Sequence, residues 1–214
     1  TNRANEVGKD AASHDEGTHQ LVRQARTGNW GAVLKMLDSE KEVPAHIVDE
    51  LFLASAEYGQ LAAINVLLPK VSDLECANEN GQGALILASC NGWTNVMTLL
   101  IEGRCDLEAE CHQGYTPLLS AVQCGQRQSA SLLIEKRANI HATSIYQTTA
   151  LHIAAKEGLH EIVTLLLDVK AMPNVLTAEE ESSLETAKNS HICRLILERH
   201  CVNSGWDEES DDEK

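Results

Sequence analysis

Aromatic side chains are scarce, at 3% of 214 residues with a single Phe. Few large rings are available to fill a thick core, so alanine and leucine must do it, which suits thin, closely stacked helices. Basic residues are also in deficit, 17 against 32 acidic for a formal charge of −15. Nucleic acid and anionic membranes need a basic footprint, so the balance argues against both and favours cationic partners. No apolar run approaches the roughly 18 residues of a membrane span. No signal-peptide pattern opens the chain. It starts at Thr1 without Met, which reads as a processed or truncated product. The seven cysteines, an odd number, include no C-x-x-C pair. That usage fits a reducing cytosol or nucleus better than a secreted disulfide framework, so a cytoplasmic or nuclear location is expected. No Gly-rich phosphate loop, His-Glu-x-x-His helix or nucleophile elbow is present. Cys90 and Cys124 would need two more ligands to hold a metal. The expectation is therefore no enzyme, no metal and no cofactor.

What is there is a repeat. Residues 148–167 read as a short helix, a glycine break and a second short helix. Leu151, Ala154 and Ala155 share one helical face, and Ile162, Val163, Leu165 and Leu166 rebuild another after Gly158. Neither helix is long enough to persist alone in water, so the unit must stack on something like itself. Stepping back by 33 from Gly158 gives Gly125, Gly92 and Gly59, and Leu151 maps onto Leu118, Leu85 and Phe52. This period carries Thr116-Pro117-Leu118 and Thr149-Ala150-Leu151-His152-Ile153-Ala154. It resembles the ankyrin repeat over roughly Thr18 to Cys201.

The resemblance implies an all-α solenoid of about six repeats, each an inner helix, a turn, an outer helix and a β-turn finger. Residues 1–17 read as a disordered lead-in, 18–201 as the repeat domain and 202–214 as an acidic disordered tail. The first repeat, with Leu21, Val22, Ala25, Gly28, Val33, Leu34, Met36 and Leu37, is a divergent cap, with Trp30 covering an end of its apolar seam. Trp93 is expected to pack between repeats. Thr116 is an expected N-cap ahead of Pro117. Gln147 stands where the finger turn usually has glycine. Arg104, Arg137 and Lys170 recur at 33-residue spacing past the outer helices, where cations favour the macrodipole. Cys105 shares a column with Ala138 and Ala171 and reads as a small buried residue. In the sixth repeat Leu184, Thr186 and Ala187 continue the inner face, and too little room remains for a full-length turn and outer helix, so it reads as a shortened C-terminal cap. The tail from Trp206 to Lys214 holds six acids and one base. Ser210 within it resembles a casein-kinase-2-type site.

The same resemblance implies a non-catalytic scaffold that binds another protein through finger tips and inner-helix ends. The partner segment is expected to be basic, or mixed basic and apolar, and the chain a monomer by itself. Tips are expected at His46, Ile47, Asp49, Glu79, Asn80, Gln82, His112, Gln113, Tyr115, Ile145, Tyr146, Thr148, Ala178, Glu179 and Glu181. Helix-end positions are Glu57, Tyr58, Cys90, Asn91, Gln123, Cys124, Lys156 and Glu157. From these, Tyr115, Tyr146, Ile145, His112, Gln113, Glu157, Glu179, Glu181, Tyr58, Asn80 and Gln82 are the expected contacts. All three tyrosines of the chain are among them. His152 is expected to order its own turn rather than to act as a base. The alternative function is an acidic escort for a very basic client such as a ribosomal protein or histone.

Overall fold

The computed structural model describes residues 20–39, 43–187, 190, 191, 194 and 196–198. The expected lead-in at 1–17 and the acidic tail with Ser210 lie outside the described residues. Two compact units meet in sequence between Asp106 and Leu107. The first contains α1 (20–26), α2 (Trp30–Ser39), α3 (Ala45–Glu57), α4 (Leu61–Leu67), α5 (Ala84–Asn91) and α6 (Thr94–Glu102). The second contains α7 (Pro117–Gln123), α8 (Arg127–Glu135), α9 (Ala150–Lys156), α10 (His160–Asp168) and α11 (Ser183–Thr186). In the first unit inner helix α3 packs on α5, and outer helix α4 on α2 and α6. In the second, inner helix α9 packs on α7 and α11, and outer helix α8 on α10. Among the described residues the fold is all-α, with only the isolated bridges Ala77–Gly83 and Thr143–Thr149. No helix among them is long and apolar enough to cross a membrane.

The stacking is driven by burial. In the first unit Leu51, Phe52, Ile64, Leu67, Ile86, Met97 and Leu100 are almost wholly enclosed. In the second, Leu118, Leu119, Leu133, Leu151, Val163 and Leu166 take the same positions one to three periods on. Each such side chain contributes roughly 1.5–3 kcal/mol relative to an exposed one. Cys105, Ala138 and Ala171 are all buried, as their shared column implied. Trp30 is 6% exposed, and Leu21, Ala25, Val33 and Leu37 are buried beside it in sequence. Thr116 accepts a hydrogen bond from the Leu119 N–H at 3.3 Å, with Pro117 in the first turn.

Three expectations need correction. His46, Ile47 and Asp49 do not form a finger tip. They lie inside α3, which starts at Ala45, and Ile47 is buried. In the last repeat Ser183 and Ala187 are the fully buried pair, while Leu184 and Thr186 are only half-buried. Space for further helix also remains there. Residues 194 and 196–198 are helical, and Leu197 is fully buried.

Positive φ angles mark the repeat. Gly28, Gly59, Gly92, Gly125 and Gly158 follow the first helix of each pair at φ of 68–80°. Past the second helix, Arg104, Arg137 and Lys170 hold φ of 70°, 69° and 65°. This column thus adopts the left-handed conformation without glycine, which costs roughly 1–2 kcal/mol per residue. Glycine would return roughly 0.5–1 kcal/mol of that through its more flexible unfolded chain. Arg137→Gly and Lys170→Gly should each stabilise the fold by about 0.5 kcal/mol at physiological salt, where the helix-dipole contribution of an exposed cation is screened. Thermal melts check this. A loss of stability would mean that the charge at the helix end outweighs the strain.

Candidate functional site

Four fingers recur at 33-residue spacing with one hydrogen-bond pattern. Asn78, Cys111, Ser144 and Thr177 each donate their N–H to a carbonyl four residues on, at Gln82, Tyr115, Thr148 and Glu181, over 3.0–3.1 Å. Each also accepts the N–H of the residue three on, at Gly81, Gly114, Gln147 and Glu180, over 2.8–2.9 Å. Those last four residues all have positive φ. Gln147 therefore keeps the tight turn despite its side chain. Side chains reinforce the tips. Asn78 Oδ1 accepts from the Asn80 and Gln82 N–H groups. Thr177 Oγ1 accepts from those of Glu179 and Glu181.

In the second unit adjacent fingers are tied together. The Ile145 N–H donates to the Gln113 carbonyl at 3.2 Å, and the Ala178 N–H to the Tyr146 carbonyl at 3.0 Å. Between these fingers and the ends of the inner helices lies a cleft of about 580 Å³. It gathers five expected contacts, Tyr115, Tyr146, Glu157, Glu179 and Glu181. Gln123 and Lys156 join them from the inner-helix ends. Tyr146 is 58% exposed, while Tyr115 is half-buried with its hydroxyl 3.5 Å from Gln123 Oε1. The Tyr115 phenol is held above its ordinary value, first by burial and then by Cys111, Tyr146 and Glu157.

Ile153 and Thr186 also line the cleft, although sequence reasoning passed them over. Ile153 precedes Lys156 and Glu157 by three and four residues, so one helix face carries all three. That spacing was the available signal. The remaining expected contacts lie elsewhere. His112 and Gln113 are exposed on the second unit's first finger, and Ile145 is 61% exposed on the next. Gln82 has its side chain tied to Asn78. Tyr58 and Asn80 line a separate groove of about 860 Å³ within the first unit. Cys76 lines that groove, and its thiol is pushed up to about 12, by burial first and then by Asp49, Asp73, Cys105 and Glu75. It remains a protonated, poorly nucleophilic group at neutral pH.

His152 forms the floor of the second unit's cleft and holds its finger in place. Its Nδ1 lies 2.8 Å from Thr149 Oγ1 and accepts the Thr149 N–H at 3.2 Å. The other nitrogen, Nε2, carries the proton and donates to the Val175 carbonyl at 2.8 Å. Burial lowers the pKa of this imidazole, against carbonyl contacts that raise it. A lowered value means that the neutral form stabilises the fold. That stabilisation is complete above the ordinary value of about 6.5 and is lost as pH falls below it. Melting temperature should therefore drop more steeply below pH 6.5 in the native chain than in His152→Gln. Equal slopes would remove His152 from the account.

Family comparisons agree with this architecture. A model of ankyrin repeats in three copies matches residues 51–144. A second, of ankyrin repeats in many copies, matches residues 128–167. No curated protein was found to match the chain. Together the two matches span more than half of the sequence, across the same helix pairs and fingers, and the chain belongs to the ankyrin-repeat family, whose members typically serve as non-catalytic protein–protein interaction modules.

Proposed function

We propose that the second unit binds an extended segment of another protein in its cleft, and that this segment carries Lys or Arg beside an apolar anchor. The supporting observation is the convergence of Tyr115 and Tyr146 with Glu157, Glu179 and Glu181 around one cleft, against Lys156. Tyrosine contributes a large, rigid ring and keeps a hydroxyl for hydrogen bonding. A cation can lie against such a ring while a carboxylate neutralises it. Ile145, exposed next to Tyr146 on the same finger, offers an apolar surface for the anchor. Charge then tunes on-rate and salt dependence, and the rings govern the off-rate.

A pull-down with the intact chain, read by mass spectrometry, identifies the partner, and calorimetry measures its affinity. Tyr115→Ala combined with Tyr146→Ala should cost about 2–4 kcal/mol of binding, with only a small change in the melting curve. Unchanged affinity, or a melting loss as large as that of a core leucine, would overturn this reading. The escort alternative rests on residues 206–214, which lie outside the described residues. Affinity kept by the tyrosine variant but lost on deleting 206–214 would favour the escort.

A further inference from the structure

In the first unit, three of the chain's few aromatic rings gather where the helices of adjacent pairs turn. Trp93 lies with one face on Gly59, so close that a Cβ there would sit 2.5 Å from the indole Cδ2. Its Nε1–H donates to the Glu57 carbonyl at 2.8 Å. The ring is thus fixed by face and edge, yet Trp93 is 43% exposed. Tyr58 rests on Trp30, with ring centroids 6.5 Å apart and planes at 51°, and is 45% exposed. Leu61, two residues past Gly59, is 40% exposed. Covering the glycine turn needs only one face of an indole, and the other remains in water. Rings held this firmly lose little freedom when something covers them.

We propose that this aromatic lip and the groove beside it form a second docking surface, for a partner segment that places an arginine or lysine next to an aliphatic side chain. Charge decides the occupant. The groove is lined by Asp49, Glu50, Glu57 and Glu79. Its one arginine, Arg26, is already bonded to Glu50 at 2.8 Å. Asp49 Oδ1 is shut off from solvent with no hydrogen-bond partner among the described residues. That oxygen is therefore out of an incoming group's reach, and the charge a partner meets is carried by the exposed Glu57 and Glu79. An acidic segment would be repelled, and a wholly apolar one would leave the groove's carboxylates without a counter-charge. The cation therefore enters beside Tyr58, where the groove meets the lip, and the aliphatic side chain covers Trp93 and Leu61. This surface is independent of the second unit's cleft.

The test uses the full chain and a blocked peptide alternating arginine and leucine. The readout is the Trp93 indole N–H resonance, assigned through Trp93→Phe. The resonance should shift and saturate with millimolar peptide, and should do so equally in the Tyr115→Ala, Tyr146→Ala chain. Glu57→Lys with Glu79→Lys should weaken the response by about tenfold or more. Those two changes reverse exposed charges and leave the Glu57 carbonyl that holds the indole. A glutamate–leucine peptide should leave the resonance in place. The proposal is overturned by an unmoved indole, by equal response to both peptides, or by loss of the response in the tyrosine variant. A shift that follows protein concentration without peptide would also overturn it, since a second copy would then be the occupant. A moving indole with an intact cleft affinity in the tyrosine variant would sink only the cleft reading.

Discussion

Leu151→Ala should destabilise the chain by about 2–5 kcal/mol, the usual cost of emptying a closely packed leucine site. Leu151 is 1% exposed and sits on α9, which packs against α7, α10 and α11. A cavity there loosens every layer that α9 touches. Coupling in a repeat stack is mainly between neighbours, so the loss should be graded along the sequence. Amides of α9, α10 and α11 should lose protection from hydrogen exchange before those of α3. Uniform loss along the chain would show that the repeats unfold as one unit.

Gly114→Ala should cost about 2–3 kcal/mol, by two routes that act together. Gly114 holds φ of 70°, which a side chain disfavours. Its added Cβ would also lie 2.9 Å from the Ile145 backbone nitrogen. Backbone cannot rotate away as a side-chain end can, so the finger must move. The Ile145 N–H bond to Gln113 should lengthen or break, and the first two fingers of the second unit should separate. Chemical denaturation gives the stability, and exchange of the Ile145 amide reports the bond. A loss below about 1 kcal/mol, with Ile145 still protected, would show that the finger yields without strain.

The 33-residue period was legible because packing enforces it at several places at once. The same glycine column, the same buried leucines and the same finger recur, and each alone would be weak. The cleft was half legible. Helix-end and tip positions follow from the repeat, so Tyr115, Tyr146, Glu157, Glu179 and Glu181 could be named. Depth could not, and Ile153 and Thr186 were missed because a helix face is legible while the opening above it is not. Gln147 was misleading for another reason. Whether a position keeps positive φ depends on the bonds closing its turn, here the Gln147 N–H to Ser144 at 2.9 Å, as well as on residue type. Trp93 showed a further limit. Packing against a neighbouring repeat was foreseen, but its open second face depends on Gly59 lying flat beneath the first.

The most direct measurement is hydrogen exchange by mass spectrometry on the intact chain, alone and saturated with its captured partner. Exchange reports local opening amide by amide and needs no substitution. Binding in the cleft predicts slower exchange at fingers 111–115, 144–148 and 177–181 and at the C-terminal end of α9. Unchanged exchange at all three fingers, with the partner bound, would contradict it.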